Sequence, residues 1–353
     1  MNYALIISKT TLKEVLQMKN EAFVVDMQHH YIPPEALKIV GKTSEYDYTI
    51  GLRRFTKAYE IITNIDTHLR WMDESGISMA ILSTASFSAN GYNFCKVCND
   101  GYSKVIKKYT DKFKGMIHIY PFDDKGKNVG EIKRCVEELG LSGIAVVTSY
   151  QNTTIDSDIM NPIYEIAVKY DMPIFVHPSI RINLWGGERY DLYTKLSREY
   201  DIAKSFVEIV YGVLPRFPEL KVIMPHLGGG LPALKGRLLA WHQPEDYVLP
   251  RDDRGHGLAI HQAEKLGLVD DFESRLKNIF FDSAGYGGWL PVMKSALDTL
   301  GPDHLCFGTD YPYELREPKY VKEIIREINE IDVSKEDKEK FLCKNLKKLF
   351  QIG

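Results

Sequence analysis

The sequence predicts a single (β/α)₈ barrel, an α/β fold of the TIM-barrel type, and two observations lead to this prediction. First, apolar runs of strand length alternate with longer amphipathic segments, as in parallel strands joined by helical crossovers. Second, there are eight such runs, the number of strands that closes a barrel. The eight runs are Phe23–Met27, Met79–Ser83, Phe113–Ile119, Gly143–Thr148, Met172–His177, Leu220–Pro225, Asn278–Asp282 and His304–Gly308.

The segments between these runs have helical periodicity. The expected helices are Asn64–Ser75, Asn99–Tyr109, Val129–Leu139, Pro162–Tyr170, Ile202–Leu214 and Tyr320–Asn329. We expect one domain over residues 1–353, with a short N-terminal extension (1–22) and long loop insertions at about 31–63 and 228–277. Long loops after barrel strands lie over the active site and influence substrate choice.

Composition limits the possible partners and location. The net charge is −3 with a pI near 6.4, so there is no basic excess to attract nucleic acid or an anionic membrane. No apolar run approaches the ~20 residues of a membrane span, and the first residues lack the apolar core of a signal peptide. Five cysteines, an odd number, argue against a disulfide scaffold. A cytoplasmic protein is expected.

Four of the strand-like runs are followed by residues that can bind a metal or move a proton. These residues are His30, His177, His226 and Asp310. The carboxyl ends of barrel strands converge on one face, where the active site of this fold lies. Imidazoles and a carboxylate gathered there indicate a catalytic metal site. A structural role for His30 and a hydrogen-bonded core role for His177 remain the alternatives.

The first strand offers two neighbouring histidines, and strand geometry separates them. Successive side chains point to opposite faces, so Gln28 and His30 share one face and His29 points to the other. Ligands of one metal must share a face, so the usable pair is Gln28 and His30. We expect His29 to pack outside the barrel mouth.

Other metal-binding residue types have simpler interpretations. Cys95 and Cys98 form one C-x-x-C pair, which is a weak zinc signal without a second pair, and we expect structural thiols on one helical face. We expect His242, His256 and His261 to be solvated in the second long loop, with a lid role for His256 as the alternative.

Several residues are candidates for substrate contact. Arg53 and Arg54 lie in the first long loop, Arg181 and Trp185 follow the fifth strand, and Asp282 ends the seventh. A guanidinium pairs well with a substrate carboxylate, and an indole face suits a planar ring. A small-molecule carboxylate is therefore the expected partner, although a plain surface charge is the alternative for each arginine.

Taken in order along the chain, these motifs resemble those of the amidohydrolase superfamily. The resemblance is to its decarboxylase-rich branch, typified by aminocarboxymuconate-semialdehyde decarboxylase and the γ-resorcylate and 5-carboxyvanillate decarboxylases, and it covers roughly Val24 to Pro312. The motifs that carry it are His30-Tyr31-Ile32-Pro33, Asn99-Asp100, His177-Pro178, His226-Leu227-Gly228-Gly229-Gly230, Gly236-Arg237 and Gly308-Thr309-Asp310-Tyr311-Pro312.

The resemblance implies a barrel with one divalent metal ion, zinc in the first place and manganese as the alternative. It implies metal ligands at His30, His177 and Asp310, with the Gln28 position as a fourth. His226 would be a proton-transfer residue beside the metal, and Asp310 would also handle protons.

Two further implications concern Arg237 and Gln28. Arg237 resembles a position from which an arginine is donated across a dimer interface, so a homodimer is expected. Gln28 departs from the family, which usually has histidine or glutamate there. A glutamine carbonyl oxygen is a neutral, weaker donor, so it should weaken metal binding, abolish it, or shift the preference toward a harder ion such as Mn²⁺.

The function expected from this resemblance is metal-dependent, non-oxidative decarboxylation of a small aromatic or unsaturated carboxylic acid. Nothing resembles a dinucleotide-binding glycine fingerprint, which agrees with a reaction that needs no organic cofactor. The alternative is a metal-dependent or metal-free hydrolase of a lactone, amide or related small molecule on the same barrel. A binding role without chemistry is the third interpretation.

Overall fold

A computed structural model gives the fold. It describes residues 22–41, 48–50, 53–55, 58–122, 125–150, 153–179, 189–242 and 272–353. Among these residues, no helix combines the length and the apolar character needed to cross a membrane.

The barrel strands form two parallel sheets. The smaller sheet has the order β1 (Val25–His30), β4 (Met79–Ser83), β5 (Phe113–Gly115). The larger sheet has the order β13 (Leu305–Cys306), β12 (Ile279–Asp282), β11 (Val222–Met224), β10 (Ile174–His177), β7 (Ile144–Val147), β6 (Ile117–His118). Two antiparallel hairpins lie outside them: β2 (Tyr48–Ile50) with β3 (Arg53–Phe55), and β8 (Ser149–Tyr150) with β9 (Thr153–Thr154).

Hydrogen bonds join the two sheets into a barrel. β5 and β6 are two parts of the third predicted strand, and Met116 between them donates its N–H to the Leu82 carbonyl of β4. On the other side, the N–H of Met27 donates to the Phe307 carbonyl at 2.8 Å. The contact between β1 and the chain after β13 consists of isolated bonds and not of a continuous ladder. The predicted (β/α)₈ fold is confirmed; the second predicted strand, Met79–Ser83, is present over the same residues, and the others are present over somewhat different ranges.

Helices cover the outer face of the strands. Their bounds are α1 Pro34–Ile39, α2 Ala58–Thr63, α3 Ile65–Ser75, α4 Tyr92–Lys108, α5 Lys125–Arg134, α6 Asn161–Lys169, α7 Arg198–Glu208, α8 His226–His242, α9 Phe272–Leu276, α10 Leu290–Leu300, α11 Pro318–Glu330, α12 Lys335–Glu339 and α13 Asn345–Leu349. The strands β1, β4, β7 and β10 are buried on both faces, as expected where helices cover a parallel sheet.

Helix boundaries follow local chemistry where a cap is present. Asn64 caps α3, because its side-chain oxygen accepts the N–H groups of Asp66 and Thr67. The helix predicted from Asn99 begins earlier, at Tyr92, and the one predicted from Ile202 begins at Arg198.

The two predicted loop insertions contain more regular structure than expected. The first holds α1, α2 and the β2–β3 hairpin, and the second is helical in its opening part, since α8 extends to His242. The α8 segment opens with a left-handed turn, because Leu227 and the three glycines after it all have positive φ.

Candidate active site

Three of the predicted metal ligands meet at the carboxyl ends of the strands. His30 ends β1, His177 ends β10, and Asp310 follows β13. One ligand atom of each residue lies within 4.8 Å of the other two, and all three residues are buried. Two imidazoles and a carboxylate in this arrangement are a donor set suited to one divalent cation. This group is called the ligand cluster below.

The backbone fixes which imidazole nitrogens face the cluster. His30 Nδ1 lies 3.1 Å from the Ser83 carbonyl oxygen, and His177 Nδ1 lies 2.9 Å from that of Pro178. A carbonyl only accepts, so Nδ1 carries the proton in each ring, and Nε2 is left for a ligand. His30 Nε2 lies 2.8 Å from Asp310 Oδ1, a separation that needs a proton or a metal ion between the two acceptors. The residues therefore fit a bound cation, with carbonyls behind the imidazoles as in metal sites generally.

The charges of the cluster also suit a metal. Burial would raise the pKa of the Asp310 carboxyl, but the hydrogen bond and charge of His30, with the charges of Arg198 and His226, hold that pKa well below its usual range. Burial holds the pKa of His177 well below the ordinary histidine value. An ionised carboxylate and a neutral imidazole are the protonation states that metal binding requires.

Gln28 lies on the cluster side of β1. Its Nε2 donates to Asp310 Oδ1 at 3.0 Å, and its Oε1 is buried without a hydrogen-bond partner among the described residues. An unsatisfied buried amide oxygen is unfavourable. A half-turn of the amide would direct that oxygen to the cluster, where a cation would satisfy it. Ligation by Gln28 stays a prediction.

His29 faces away from the cluster, as strand alternation predicts. It is fully buried between β1 and α3, and its Nδ1 lies 2.9 Å from Asp26 Oδ2. Its Nε2 lies 2.9 Å from Nδ1 of His68 on α3. The ring therefore belongs to a buried polar network behind the strand and not to the metal site.

The same network positions Asp310. Asp26 accepts the Thr309 N–H at 2.9 Å and the Thr309 hydroxyl at 2.6 Å. The next residue, Asp310, has φ of 53°, a left-handed conformation that is unfavourable outside glycine. Two hydrogen bonds on the preceding residue hold the aspartate in this conformation.

His226, after β11, has one nitrogen fixed and the other available. Its Nδ1 lies 2.8 Å from Glu199 Oε1, while its Nε2 is buried and has no partner among the described residues. Burial lowers the pKa of His226, but the charge and hydrogen bond of Glu199 outweigh it and raise that pKa. The charge of His226 in turn lowers the pKa of Glu199 against the effect of burial. The pair favours an imidazolium whose Nε2–H is free to donate.

Glu199 is a site residue that the sequence did not predict. It lies in the first turn of α7. A Cβ on Gly229 would lie 2.3 Å from the Glu199 carbonyl oxygen and 2.7 Å from the Ala203 nitrogen. The missing side chain of Gly229 thus lets α7 pack against the turn after His226.

Asp282 and the loop after β12 complete the surroundings of His226. Asp282 is fully buried, and its Oδ1 accepts the N–H groups of His226 and Ala284 at 3.1 and 3.0 Å. Burial raises its pKa to about 7. Its Oδ2 has no partner among the described residues, and the predicted substrate contact stays a prediction for that atom.

The loop after β12 lies directly on the His226 ring. A Cβ on Gly285 would be 2.4 Å from His226 Cγ, so only glycine fits there. The Glu314 carboxylate accepts the N–H groups of Gly285 and Gly287 at 2.6 and 2.7 Å. The loop is thus fixed in a position that keeps water from this side of the imidazole.

Among the other predicted substrate-contact residues, the structure describes the side chain of Arg237 alone. Arg237 is exposed on α8, where it lines an apolar groove beside α7. Arg53 and Arg54 belong to β3, but their side chains lie outside the described part of the structure. Arg181 and Trp185 lie outside the described residues altogether.

The other cysteines and histidines that the structure describes do not join the cluster. Cys95 and Cys98 are free, buried thiols in α4, as the structural interpretation predicts. His242 ends α8, with its side chain outside the described part, and His256 and His261 lie outside the described residues.

The sequence matches the family model for amidohydrolases, Amidohydro_2, over residues 25–352. The chain belongs to the amidohydrolase family. The predicted resemblance is thereby confirmed, and the match includes all of the ligand cluster and His226.

Among proteins of known activity, this amidohydrolase resembles several decarboxylases. It is 22% identical to 2-amino-3-carboxymuconate-6-semialdehyde decarboxylase of Dictyostelium discoideum over 277 residues, 75% of this chain and 72% of that protein. It is 24% identical to γ-resorcylate decarboxylase of Rhodococcus jostii over 273 residues, 70% of this chain and 77% of that protein.

A solved structure supports the fold. The 5-carboxyvanillate decarboxylase of Novosphingobium aromaticivorans, with bound manganese and 3-methoxy-4-hydroxy-5-nitrobenzoic acid, aligns with a TM-score of 0.76 at 21% identity. The alignment covers 94% of this chain and 97% of that one. At this identity the likeness establishes the barrel fold.

Proposed function

We propose that this amidohydrolase is a metal-dependent, non-oxidative decarboxylase of a small aromatic or unsaturated carboxylic acid. The observation that carries the proposal is the state of His226: Nδ1 is held by Glu199, and the buried Nε2 is without a partner among the described residues. A carbon that loses carbon dioxide must gain a proton, and a free, buried Nε2–H on an imidazolium supports the assignment of that role to His226. The decarboxylases among the relatives support the same reaction.

We place one divalent ion at His30, His177 and Asp310. When bound, it supplies positive charge that orients and polarises substrate oxygens. The manganese of the 5-carboxyvanillate decarboxylase and the amide oxygen of Gln28 favour Mn²⁺, whereas two imidazoles are equally suited to Zn²⁺. Elemental analysis of the protein, purified without added metal, decides between the two ions.

Residues of this chain supply the proton that replaces the lost carboxylate on the substrate carbon. The bond between the substrate carbon and its carboxylate breaks, carbon dioxide leaves, and the electron pair stays on the carbon. That carbon takes the proton from His226 Nε2, and the neutral imidazole regains a proton from water. Glu199 keeps Nδ1 protonated throughout and stabilises the charged ring. The loop held by Glu314 keeps bulk water off one side of the imidazole, so reprotonation by water takes place from the other side.

The test is a screen for carbon dioxide release from aromatic and dienoic acids with the metal-loaded protein. We expect release with at least one acid, and a loss of about 10²-fold or more in His226→Asn, since a general acid contributes about that much. Metal content should be unchanged in this variant and lost in His177→Ala. Cleavage of a lactone or amide by water, with no carbon dioxide released from any acid, would instead establish the hydrolase alternative.

We also propose that the protein is a homodimer joined through an apolar groove between α7 and α8. Tyr200 and Leu234 line this groove and are exposed, and Arg237 lies on the same face. Exposed apolar side chains beside an arginine are typical of subunit interfaces. Light scattering should give a dimer that Leu234→Glu dissociates, while Tyr320→Glu, at an exposed tyrosine on α11, leaves it intact.

A cytoplasmic location is also part of the proposal. All five cysteines are free and buried, as suits a reducing compartment. Fractionation of the cells that make the protein would test it.

A further inference from the structure

The first imidazole of the ligand cluster is held by a peptide group that a second imidazole holds from behind. His30 Nδ1 donates its proton to the Ser83 carbonyl at 3.1 Å. The nitrogen of the same peptide group belongs to Thr84, and its N–H donates to His118 Nε2 at 2.8 Å. The carbonyl and the N–H of a trans peptide point in opposite directions, so this group lies between the two rings. His118 therefore fixes the plane in which the carbonyl meets His30.

The second imidazole of the cluster is held in the same way. His177 Nδ1 lies 2.9 Å from the Pro178 carbonyl oxygen, and the nitrogen of that peptide group belongs to Ser179. The Ser179 N–H donates to Thr148 Oγ1 at 2.9 Å. The Thr148 hydroxyl donates its own proton to the Asp201 carboxylate, which makes its oxygen a better acceptor, because hydrogen bonds in series polarise one another. Each ligand thus has one peptide group behind it and one side chain behind that group.

Both supporting side chains come from the ends of neighbouring barrel strands. His118 ends β6, Thr148 directly follows β7, and both residues are fully buried. Burial lowers the pKa of His118 to about 3, so the ring is neutral and its Nε2 can accept a hydrogen bond. A buried imidazole or hydroxyl is unfavourable unless its polar atoms are hydrogen-bonded. Here those bonds are made to the two peptide groups that hold the metal ligands.

Asn99 holds His118 itself in place. The Asn99 side chain accepts the His118 N–H at 2.8 Å and donates to the His118 carbonyl at 3.1 Å. It also donates to Glu131 at 3.0 Å, and Arg134 on α5 pairs with that carboxylate through two N–H groups. The Asn99-Asp100 motif of the sequence therefore connects α4 and α5 to the strand end that carries His118.

We infer that His118 and Thr148 are positioning residues of the metal site, each of which orients one peptide group that fixes the tautomer and direction of one imidazole ligand. The inference rests on the metal site of the proposed function and extends it to two residues outside the ligand cluster. Without its acceptor, the buried peptide N–H is unpaired and the group is free to turn, so the imidazole Nε2 is aimed less well. Direct hydrogen-bond partners of metal-bound histidines are worth about 10- to 100-fold in metal affinity, and partners one step further back should lie at the lower end.

Zinc affinity of the full-length protein, measured by competition with a chelator, tests this inference with paired variants. Thr148→Val keeps the shape of the side chain and removes the hydroxyl, whereas Thr148→Ser keeps the hydroxyl. His118→Phe removes the acceptor, whereas His118→Gln keeps an amide oxygen near the position of Nε2. We expect about tenfold weaker zinc binding in Thr148→Val and in His118→Phe. Thr148→Ser and His118→Gln should bind zinc within about twofold of wild type.

A control variant and a spectroscopic measurement distinguish positioning from general loosening. Ser103→Ala removes another buried hydroxyl, one that donates to the Leu139 carbonyl at 2.9 Å, and it should lower the melting temperature without changing zinc affinity. Nuclear magnetic resonance of the zinc-loaded protein with ¹⁵N-labelled histidine detects the Nδ1–H protons of the two ligands. Thr148→Val and His118→Phe should each speed the exchange of one such proton with water, and the affected proton should differ between the two variants.

The outcomes separate the inference from the metal site on which it rests. If Thr148→Val and His118→Phe bind zinc as wild type does, or if Thr148→Ser and His118→Gln are equally weak, the inference is wrong. It is also wrong if Ser103→Ala weakens zinc binding to the same extent, or if both disruptive variants affect the same proton. Loss of zinc in His177→Ala, together with unchanged affinity in the Thr148 and His118 variants, would keep the proposed metal site and remove only the inference.

Discussion

Replacing Glu199 with glutamine removes one charge beside His226 and keeps the shape of the side chain. The wild-type carboxylate lies 2.8 Å from His226 Nδ1, and it raises the pKa of a ring that burial alone would make less basic. A hydrogen bond to a charged group is worth about 1.5–3 kcal/mol. Loss of this charge-assisted hydrogen bond in Glu199→Gln lowers the population of the His226 imidazolium about 10- to 100-fold at any pH where the neutral ring dominates.

Whether Glu199→Gln lowers activity at high or at low pH depends on which protonation state of His226 is the active one. The proposed proton donor is the imidazolium, so activity is full below the pKa of His226 and falls as the pH rises through it. In Glu199→Gln that pKa is lower, and the fall begins at a lower pH. We expect kcat/KM to drop about 10- to 100-fold at alkaline pH and to change little at acidic pH.

Two assays measure this prediction. The pH dependence of carbon dioxide release gives the alkaline limb directly. Independently of any substrate, nuclear magnetic resonance of the zinc-loaded protein with ¹³C-labelled histidine follows the titration of His226, which is assigned with His226→Asn. Glu208→Gln is the control, because it neutralises another carboxylate of α7, one paired with Lys204 at 2.6 Å.

Two results would contradict the proposed effect of Glu199 on His226. If His226 titrates at the same pH in wild type, Glu199→Gln and Glu208→Gln, the carboxylate does not set the basicity of the ring. A uniform loss of activity at every pH would likewise show that Glu199 acts on folding or substrate binding. A fall confined to the alkaline side is expected only from the ion pair.

Three further predictions concern the support of the cluster. Gln28→Glu should tighten metal binding about tenfold, because it adds a charged ligand. It should also destabilise the metal-free protein, because the new carboxylate faces that of Asp310. Melting temperatures with and without chelator measure both effects. Thr309→Val should lower the free energy of unfolding by about 1–3 kcal/mol and weaken metal binding, because it removes a buried hydrogen bond to Asp26, whereas Thr309→Ser should not. Gly229→Ala should cost more stability than Gly230→Ala, since both strain a positive φ but only the first meets the α7 backbone; equal melting temperatures would contradict this packing role.

The sequence predicted the ligand cluster because each of its residues lies at the end of an apolar run or within three residues after it. His177 closes β10, and His30 closes β1, so the strand pattern alone places both at the barrel mouth. Strand alternation also separated Gln28 from His29 correctly. What alternation does not reveal is the contact that each side chain makes. The network of His29 with His68 joins β1 to α3, and nothing in either segment pairs the two histidines.

The residues that the sequence missed all come from tertiary packing of helix starts and loops. Glu199 and Arg198 precede the predicted start of their helix by several residues, where a charged pair looks like an ordinary solvated first turn. Their position over the mouth depends on Gly229, which is visible in the sequence but whose partner is not. Packing between a helix and a turn distant in sequence has no local signature.

This division between strand ends and α7 has a consequence for reactivity. The strand ends place the cluster and His226, and these positions are fixed by buried hydrogen bonds between side chains and backbone groups. The first turn of α7 instead determines how basic His226 is, through Glu199. A substitution in that turn can therefore alter the pH range of the reaction without disturbing the metal ligands. Two amidohydrolases with the same ligand cluster need not share a pH range, because the residue that sets the basicity of the imidazole lies on a different element.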